Sequence, residues 1–372
     1  MLGSGLTRLQ ERAASVHALD FTVGYPRLQP AAEQWETLRK ILLAERSPIW
    51  ADEVLLLREA VQEFIGLEQS QSIEFTFSGS VALERVISAI ASSGPCRLLL
   101  TTPGFDSIYR FADRLAAVEV LSIDPFWSHS EYVEQLMNSV SEDIDVIVLV
   151  SPDNPSGFAL TDSELGELGA RCADVGATLV ADQCFLRINP FGVDIGNVST
   201  LAGRCSWLGL WDSSKTVELL GERLGFVFGS HAEQKLVRNS LSEIQYDLSL
   251  LTVVAIRRSL EAMTDLKLQR LNRTIAENYR TLRDAAGAGD VALGKPDAGS
   301  FVVLRCDGRL SGWTSEGLAE ILLVDHGIAV TPSTVLYPQA PGQVDFIRIA
   351  LARPMAYVHR LIEALGAIRS TP

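Results

Sequence analysis

The sequence predicts an α/β fold, with a mostly parallel sheet covered by helices on both faces and a smaller α+β portion after it. Three features point there. Between Arg97 and Ala181 short apolar strands alternate with amphipathic helices, the pattern of a parallel sheet buried on both sides. Two further apolar segments, Trp207–Trp211 and Leu224–Gly229, read as buried strands with Lys215 between them. Beyond Gly229 the rhythm stops, and a long helical run leads into mixed helices and strands. The 372 residues, 47% hydrophobic, are ample for a large core and for more than one domain. The expected division is a large α/β domain over residues 45–270, with residues 1–44 and 271–372 forming a small α+β domain.

Residues 1–30 carry no clear period, and Ala18–Pro26 reads as an extended stretch closed by a turn at Gly24, Tyr25 and Pro26. The opening GSGLT lacks both the lysine and the preceding strand of a phosphate loop. Ala31–Arg46 and Glu53–Gly66 are amphipathic helices, the second stopped by Gly66. Glu74–Phe77 leads through the small residues Ser78, Gly79 and Ser80 into a helix, Val81–Ser92. Strands follow at Arg97–Thr101, Glu119–Ile123, Asp145–Val150 and Ala177–Ala181, with helices at Asp106–Ala117, Ser130–Ser139 and Thr161–Val175. After Gly229, Glu233–Ala286 is mostly helical, and Asp284–Gly294 reads as a hinge or loop. The tail gives a strand at Ser300–Cys306, a helix at Thr314–Asp325, extended pieces at Gly327–Thr331 and Phe346–Leu351, and a last helix at Ala356–Ala367.

A net charge of −14 without a basic run argues against nucleic acid and anionic membrane as partners. Five scattered cysteines without a Cys-x-x-Cys spacing argue for a reducing compartment and against a structural metal. No leader-like apolar core and no membrane-length apolar run is seen, so the expectation is a soluble, cytoplasmic protein.

In open parallel sheets ligands sit beyond the carboxyl ends of the strands, so the loops after the strands hold the candidates. Lys215 between two apolar strands invites loss of its proton and nucleophilic use, although a solvated turn lysine explains it equally well. Asn154 stands in a tight Asn-Pro turn after one strand, which is also an ordinary turn composition. Asp182 ends another strand, where a helix cap is the plain alternative. Ser78, Gly79 and Ser80 open a helix and expose amides to an anion, or simply cap it. Phe105 follows Pro103 and Gly104, where packing is the commoner use. An imine-forming lysine, an acid for a ring nitrogen, a helix start for a phosphate and an aromatic for a ring face together describe one cofactor, pyridoxal 5'-phosphate.

The order and spacing of these motifs resemble the fold-type I, class I/II aminotransferase family, from about Phe21 to Arg348. The resemblance implies an aspartate aminotransferase-like fold with a seven-stranded large-domain sheet, and a homodimer. It places Lys215 as the Schiff-base lysine and Asp182 at the pyridinium nitrogen. Asn154, in Asn154-Pro155-Ser156-Gly157, falls at the phenolic oxygen, and Phe105 on the ring. Ser78, Gly79, Ser80, Ser214 and Arg223, the last followed by Gly225, fall at the phosphate. Gly24 edges the substrate pocket and Arg348 grips the substrate α-carboxylate. Three positions depart from the family pattern. Phe185 stands where a tyrosine is usual, and Asp212 where a serine or threonine faces the phosphate. The tyrosine usually offered by the partner subunit has no counterpart beyond Trp50.

The implied activity is that of an enzyme acting on an α-amino acid through the Lys215 imine and a quinonoid intermediate, with transamination as the leading outcome. Diversion of that intermediate to elimination, replacement or cyclisation, or a decarboxylation, is the alternative that Phe185 and Asp212 raise. A cofactor-binding regulator or structural homologue is the reading outside catalysis. Tyr25, Trp50, Tyr109, Trp127 and Tyr337 are candidates for an aromatic pocket, and equally for core packing.

Overall fold

A computed structural model describes residues 4–44, 48–219, 221–245, 247–288, 290–337 and 344–368. The first helix, α1 (Gly5–Ser15), is capped by Ser4, whose side chain accepts from Thr7 N. This helix falls where the sequence showed no period. A two-residue strand β1 (Leu19–Asp20) follows, then α2 (Ala31–Ala44) and α3 (Trp50–Ile65). Helix α3 ends at Gly66, which takes the left-handed conformation that glycine adopts without steric cost. Arg46, the expected last residue of α2, lies outside the described residues.

The large sheet is built from β2 (Glu74–Thr76), β3 (Arg97–Thr102), β4 (Ala117–Ser122), β5 (Val146–Val150), β6 (Thr178–Asp182), β7 (Trp207–Asp212) and β8 (Gly225–Gly229). Its order is β2-β8-β7-β6-β5-β3-β4, seven strands with β3 through β7 parallel to one another, β8 antiparallel to β7, and β2 antiparallel to β8. Between the strands lie α4 (Gly79–Ala91), α5 (Asp106–Leu115), α6 (His129–Asn138) and α7 (Asp162–Val175). Capping boxes, Ser128 with Glu131 and Thr161 with Glu164, start α6 and α7.

Alternate residues of the central strands point to opposite faces. One face carries Leu99, Ile147, Leu149, Leu179, Trp207, Trp211 and Phe226, with Leu57 and Phe64 of α3 packed in the same cluster. The other carries Leu98, Leu100, Val146, Val148, Val180, Leu208 and Leu210, with Val86 of α4 and Phe111 of α5. Both faces are therefore dry, which is why the strands read as continuous apolar runs. Gly225 at the start of β8 is forced by closeness, since a Cβ there would lie 2.3 Å from the carbonyl of Ser78.

The run after Gly229 resolves into α8 (His231–Ser242), α9 (Leu250–Glu261) and α10 (Asp265–Ala288). Helix α10 continues through Asp284–Ala288, so the expected hinge there begins later than its composition suggested. Strand β9 (Phe301–Arg305), α11 (Ser315–His326), β10 (Ile328–Ala329), β11 (Thr331–Pro332), β12 (Phe346–Ala350) and α12 (Met355–Ala367) complete the chain. Strands β11, β12 and β9 form an antiparallel sheet in that order, and β1 pairs with β10 in parallel. Phe21, Val302, Leu304, Ile347, Ile349, Leu322 and Leu361 share their core with Leu271 and Ile275 of α10. Among the described residues, no helix is long and apolar enough to cross a membrane.

Candidate active site

The parallel register of β5, β6 and β7 sets Val150 beside Asp182, and Asp182 beside Leu210. The turns that leave these three strand ends carry Asn154, Asp182 and Lys215 to one edge of the sheet. Lys215 closes a single 3-10 turn, Ser213–Lys215, and is half-buried rather than enclosed between strands. Its Nζ lies 5.8 Å from the centre of the Phe185 ring. Phe185 is buried and meets Phe301 edge-on at 5.5 Å.

Asp182 is half-buried, and its Oδ1 accepts from Cys184 N at 3.0 Å. Loss of hydration pushes its carboxyl up, while Cys184 and the charge of Lys215 pull it back. Among the described residues it has no ion-pair partner, and Lys215 is the cation whose charge acts on it.

Arg348, on β12, is fully buried. It donates through Nη1 to Asn154 Oδ1 at 2.7 Å, and through Nη2 to Thr22 O at 2.6 Å and Thr331 Oγ1 at 3.2 Å. Its guanidinium lies 4.2 Å from the Phe301 ring centre, and its Nε is buried without a partner. Burial brings its pKa down to about 9, against the opposing pull of Asp106 and Asp20. No carboxylate pairs with it among the described residues. A buried guanidinium lacking its anion is a receptor for one. A guanidinium only donates, so Asn154 must show it the side-chain oxygen, which leaves the amide NH2 of Asn154 for another acceptor.

Gly24 borders this space. A Cβ on it would meet Phe301 Cζ at 2.7 Å and Phe185 Cζ at 3.2 Å. The segment around Gly24 is held by Arg353, a buried side chain that the sequence reading passed over. Its guanidinium donates to the carbonyls of Asp20, Val23, Tyr25 and Ala352. The available signal was an arginine immediately after the apolar strand FIRIALA. Phe301 was also missed, because nothing in its flanks separates a site aromatic from a core one.

At the opposite end, Ser78 caps α4 by accepting from Val81 N at 3.3 Å, and Ser80 is exposed. Asp212 is turned into this helix start. Its Oδ2 accepts from Gly79 N at 2.7 Å and its Oδ1 from Ser214 N at 2.8 Å. Ser214 Oγ is buried without a partner. Ser213 Oγ is committed elsewhere, to the amide of Leu224 at 3.0 Å. Arg223 is exposed and lines, with Ser214, a cleft of about 630 Å3 that also borders Asp20, Tyr25, Arg27 and Glu218. Phe105 is half-buried at the start of α5. Of the pocket aromatics, Tyr109 donates to Thr101 O at 2.6 Å and Trp50 to Leu248 O at 3.1 Å, which are structural uses. Tyr337 is likewise buried, edge-on to Phe346.

The chain resembles known proteins in sequence and in fold. The chain is 22% identical over 307 residues to an aspartate aminotransferase of Pyrococcus abyssi, covering 80% of this chain and 77% of that one. The fold matches that of N-succinyldiaminopimelate aminotransferase from Mycobacterium tuberculosis with a TM-score of 0.81 at 14% identity, over 98% and 97% of the two chains. It also matches an aspartate aminotransferase from Rhizobium meliloti with a TM-score of 0.78 at 18% identity, over 99% and 96%. The family profile described as aminotransferase class I and II matches residues 32–365. With nearly its whole length inside that match, the chain belongs to the class I and II aminotransferases, a family of pyridoxal-phosphate-dependent enzymes.

Proposed function

We propose that this chain binds pyridoxal phosphate at Lys215 and moves the amino group of an α-amino acid to a keto acid. The observation that carries this reading is Arg348, a guanidinium buried with no ion pair among the described residues and bonded to Asn154. Asp182, at the end of β6, lies where the charge of Lys215 acts on it. The residues fit the cofactor at its ring nitrogen, its phenolic oxygen and its carbonyl carbon. When bound, pyridoxal phosphate supplies an aldehyde that condenses with amines and a ring that draws electrons from the substrate Cα.

Lys215 would hold the cofactor, and its Nζ, once freed by the substrate amine, would serve as the base for the substrate Cα proton and as the acid that gives it back. Asp182 would face the ring nitrogen and favour its protonated form. Asn154 would offer its side-chain NH2 to the phenolic oxygen, where Phe185 has no hydroxyl to add. Arg348 orients the substrate by its carboxylate, with Asn154, Thr22 and Thr331 fixing the plane of the guanidinium. Ser78, Gly79, Ser80, Ser214, Arg223 and Phe105 are assigned to the phosphate and ring face. Exposed apolar side chains at Leu55 and Leu56 of α3 and Leu251 of α9 support a homodimer that covers them.

The test is borohydride reduction of the purified protein followed by peptide mapping. The expected result is an absorbance band lost on reduction and a pyridoxyl tag on Lys215, absent in Lys215→Ala. A tag elsewhere, or none, refutes the reading. The missing hydroxyl at Phe185 favours one second reading, in which the same proton removal ends in elimination, replacement or cyclisation. Incubation with a panel of amino acids decides between them. Product that requires a keto acid supports transfer, and product formed without one supports the second reading.

A further inference from the structure

The helix start assigned to the phosphate is already held by a carboxylate of the chain itself. Asp212 ends β7, is 4% exposed, and takes the amides of Gly79 and Ser214 with its two oxygens. Backbone amides at a helix N-terminus are suited to an anion, and here a side chain supplies that anion. Among the described residues neither a lysine nor an arginine pairs with Asp212, so its charge is balanced by those amides and the helix. Beside it Ser214 Oγ is buried and unpartnered, a donor with nothing to give to. The cradle is thus complete in donors and filled from within.

We infer that Asp212 stands in for the phosphate in the cofactor-free chain and opposes the phosphate when it arrives. This inference rests on the cofactor reading above. Binding then requires Asp212 to give up Gly79 N and Ser214 N, or to remain as a like charge against the phosphate. Either route costs binding free energy, and only for a ligand that carries the phosphate. Pyridoxal, which lacks it, forms the same bond with Lys215 without displacing Asp212. The chain therefore discriminates poorly between the two ligands.

The experiment measures the equilibrium affinity of cofactor-free protein for pyridoxal phosphate and for pyridoxal, by titration of the imine absorbance. It compares the wild type with Asp212→Asn and Asp212→Ser. Asp212→Asn keeps the shape and one acceptor, so it decides the matter if the serine variant fails to fold. The expected result is a gain of roughly tenfold or more for pyridoxal phosphate, with the affinity for pyridoxal changed by less than about twofold. A variant that gains nothing for pyridoxal phosphate relative to pyridoxal overturns the role of Asp212 while leaving Lys215 as the site. Absence of imine with either ligand in every form overturns this inference together with the cofactor reading.

Discussion

Arg348 and Asp182 have no ion-pair partner among the described residues, although the charge of Lys215 acts on Asp182. The terminal nitrogens of this buried guanidinium are held by acceptors on Asn154, Thr22 and Thr331, while Nε is left without a partner. Lysine at this position keeps the charge but not the planar fork. Arg348→Lys is therefore expected to lower kcat/KM for the amino acid on the order of tenfold to a hundredfold, mainly through KM, in steady-state kinetics. Residue-scale roles were unevenly legible in the sequence. Lys215 stood out because a charge between apolar strands needs a reason and Asn154 because it opens a tight turn after one, whereas Arg348 came only with the family resemblance. Arg353 stood in the same kind of place and was overlooked, since its partners are main-chain carbonyls that leave no trace in composition. The direction of Asp212 was equally invisible, because a side chain at a strand end has two ways to turn.

Secondary structure elements deliver these side chains. The central strands were readable because both faces of the sheet are dry, which leaves unbroken apolar runs such as Val146–Val150. Helix α1 was not, because in eleven residues its apolar face offers only Leu6, Leu9 and Ala13, of which Ala13 alone is buried. The three helices after Gly229 merged in the sequence because neither break contains glycine or proline. Helix α4 is the element on which the phosphate end depends. Its start is fixed by the Ser78 hydroxyl and by the Asp212 carboxylate, two different acceptors for two amides. Ser78→Ala leaves Val81 N unpaired and is expected to lower stability by about 1 kcal/mol, read as a lower denaturant midpoint with an unchanged m-value.

Across the whole molecule, a three-residue bridge ties distant parts of the chain. His129 at the start of α6 contacts Asp297, ahead of β9, at 2.7 Å, and Glu164 of α7 at 2.8 Å. Burial lowers the histidine pKa, and the two carboxylates more than offset this, so the net direction is upward from 6.5. A histidine whose folded value is raised contributes stability that is fully present below its unfolded pKa. That contribution is lost as pH rises through the folded value. The stability gap between wild type and His129→Gln is therefore expected to be widest in mildly acid buffer and to narrow above neutrality. Melting temperatures across that range check it, and a gap independent of pH contradicts the bridge.

The strap that carries Gly24 is moored by oxygens common to every amino acid, since Arg353 grasps only peptide carbonyls there. Its inward side chains add to that mooring, since Phe21, Thr22 and Val23 are buried and Asp20 accepts from both the amide and the hydroxyl of Thr22. The positions left open to exchange are the outward ones, such as Tyr25 and Arg27. The rim is in that sense a fixed mount on which only the outward side chains are free to vary.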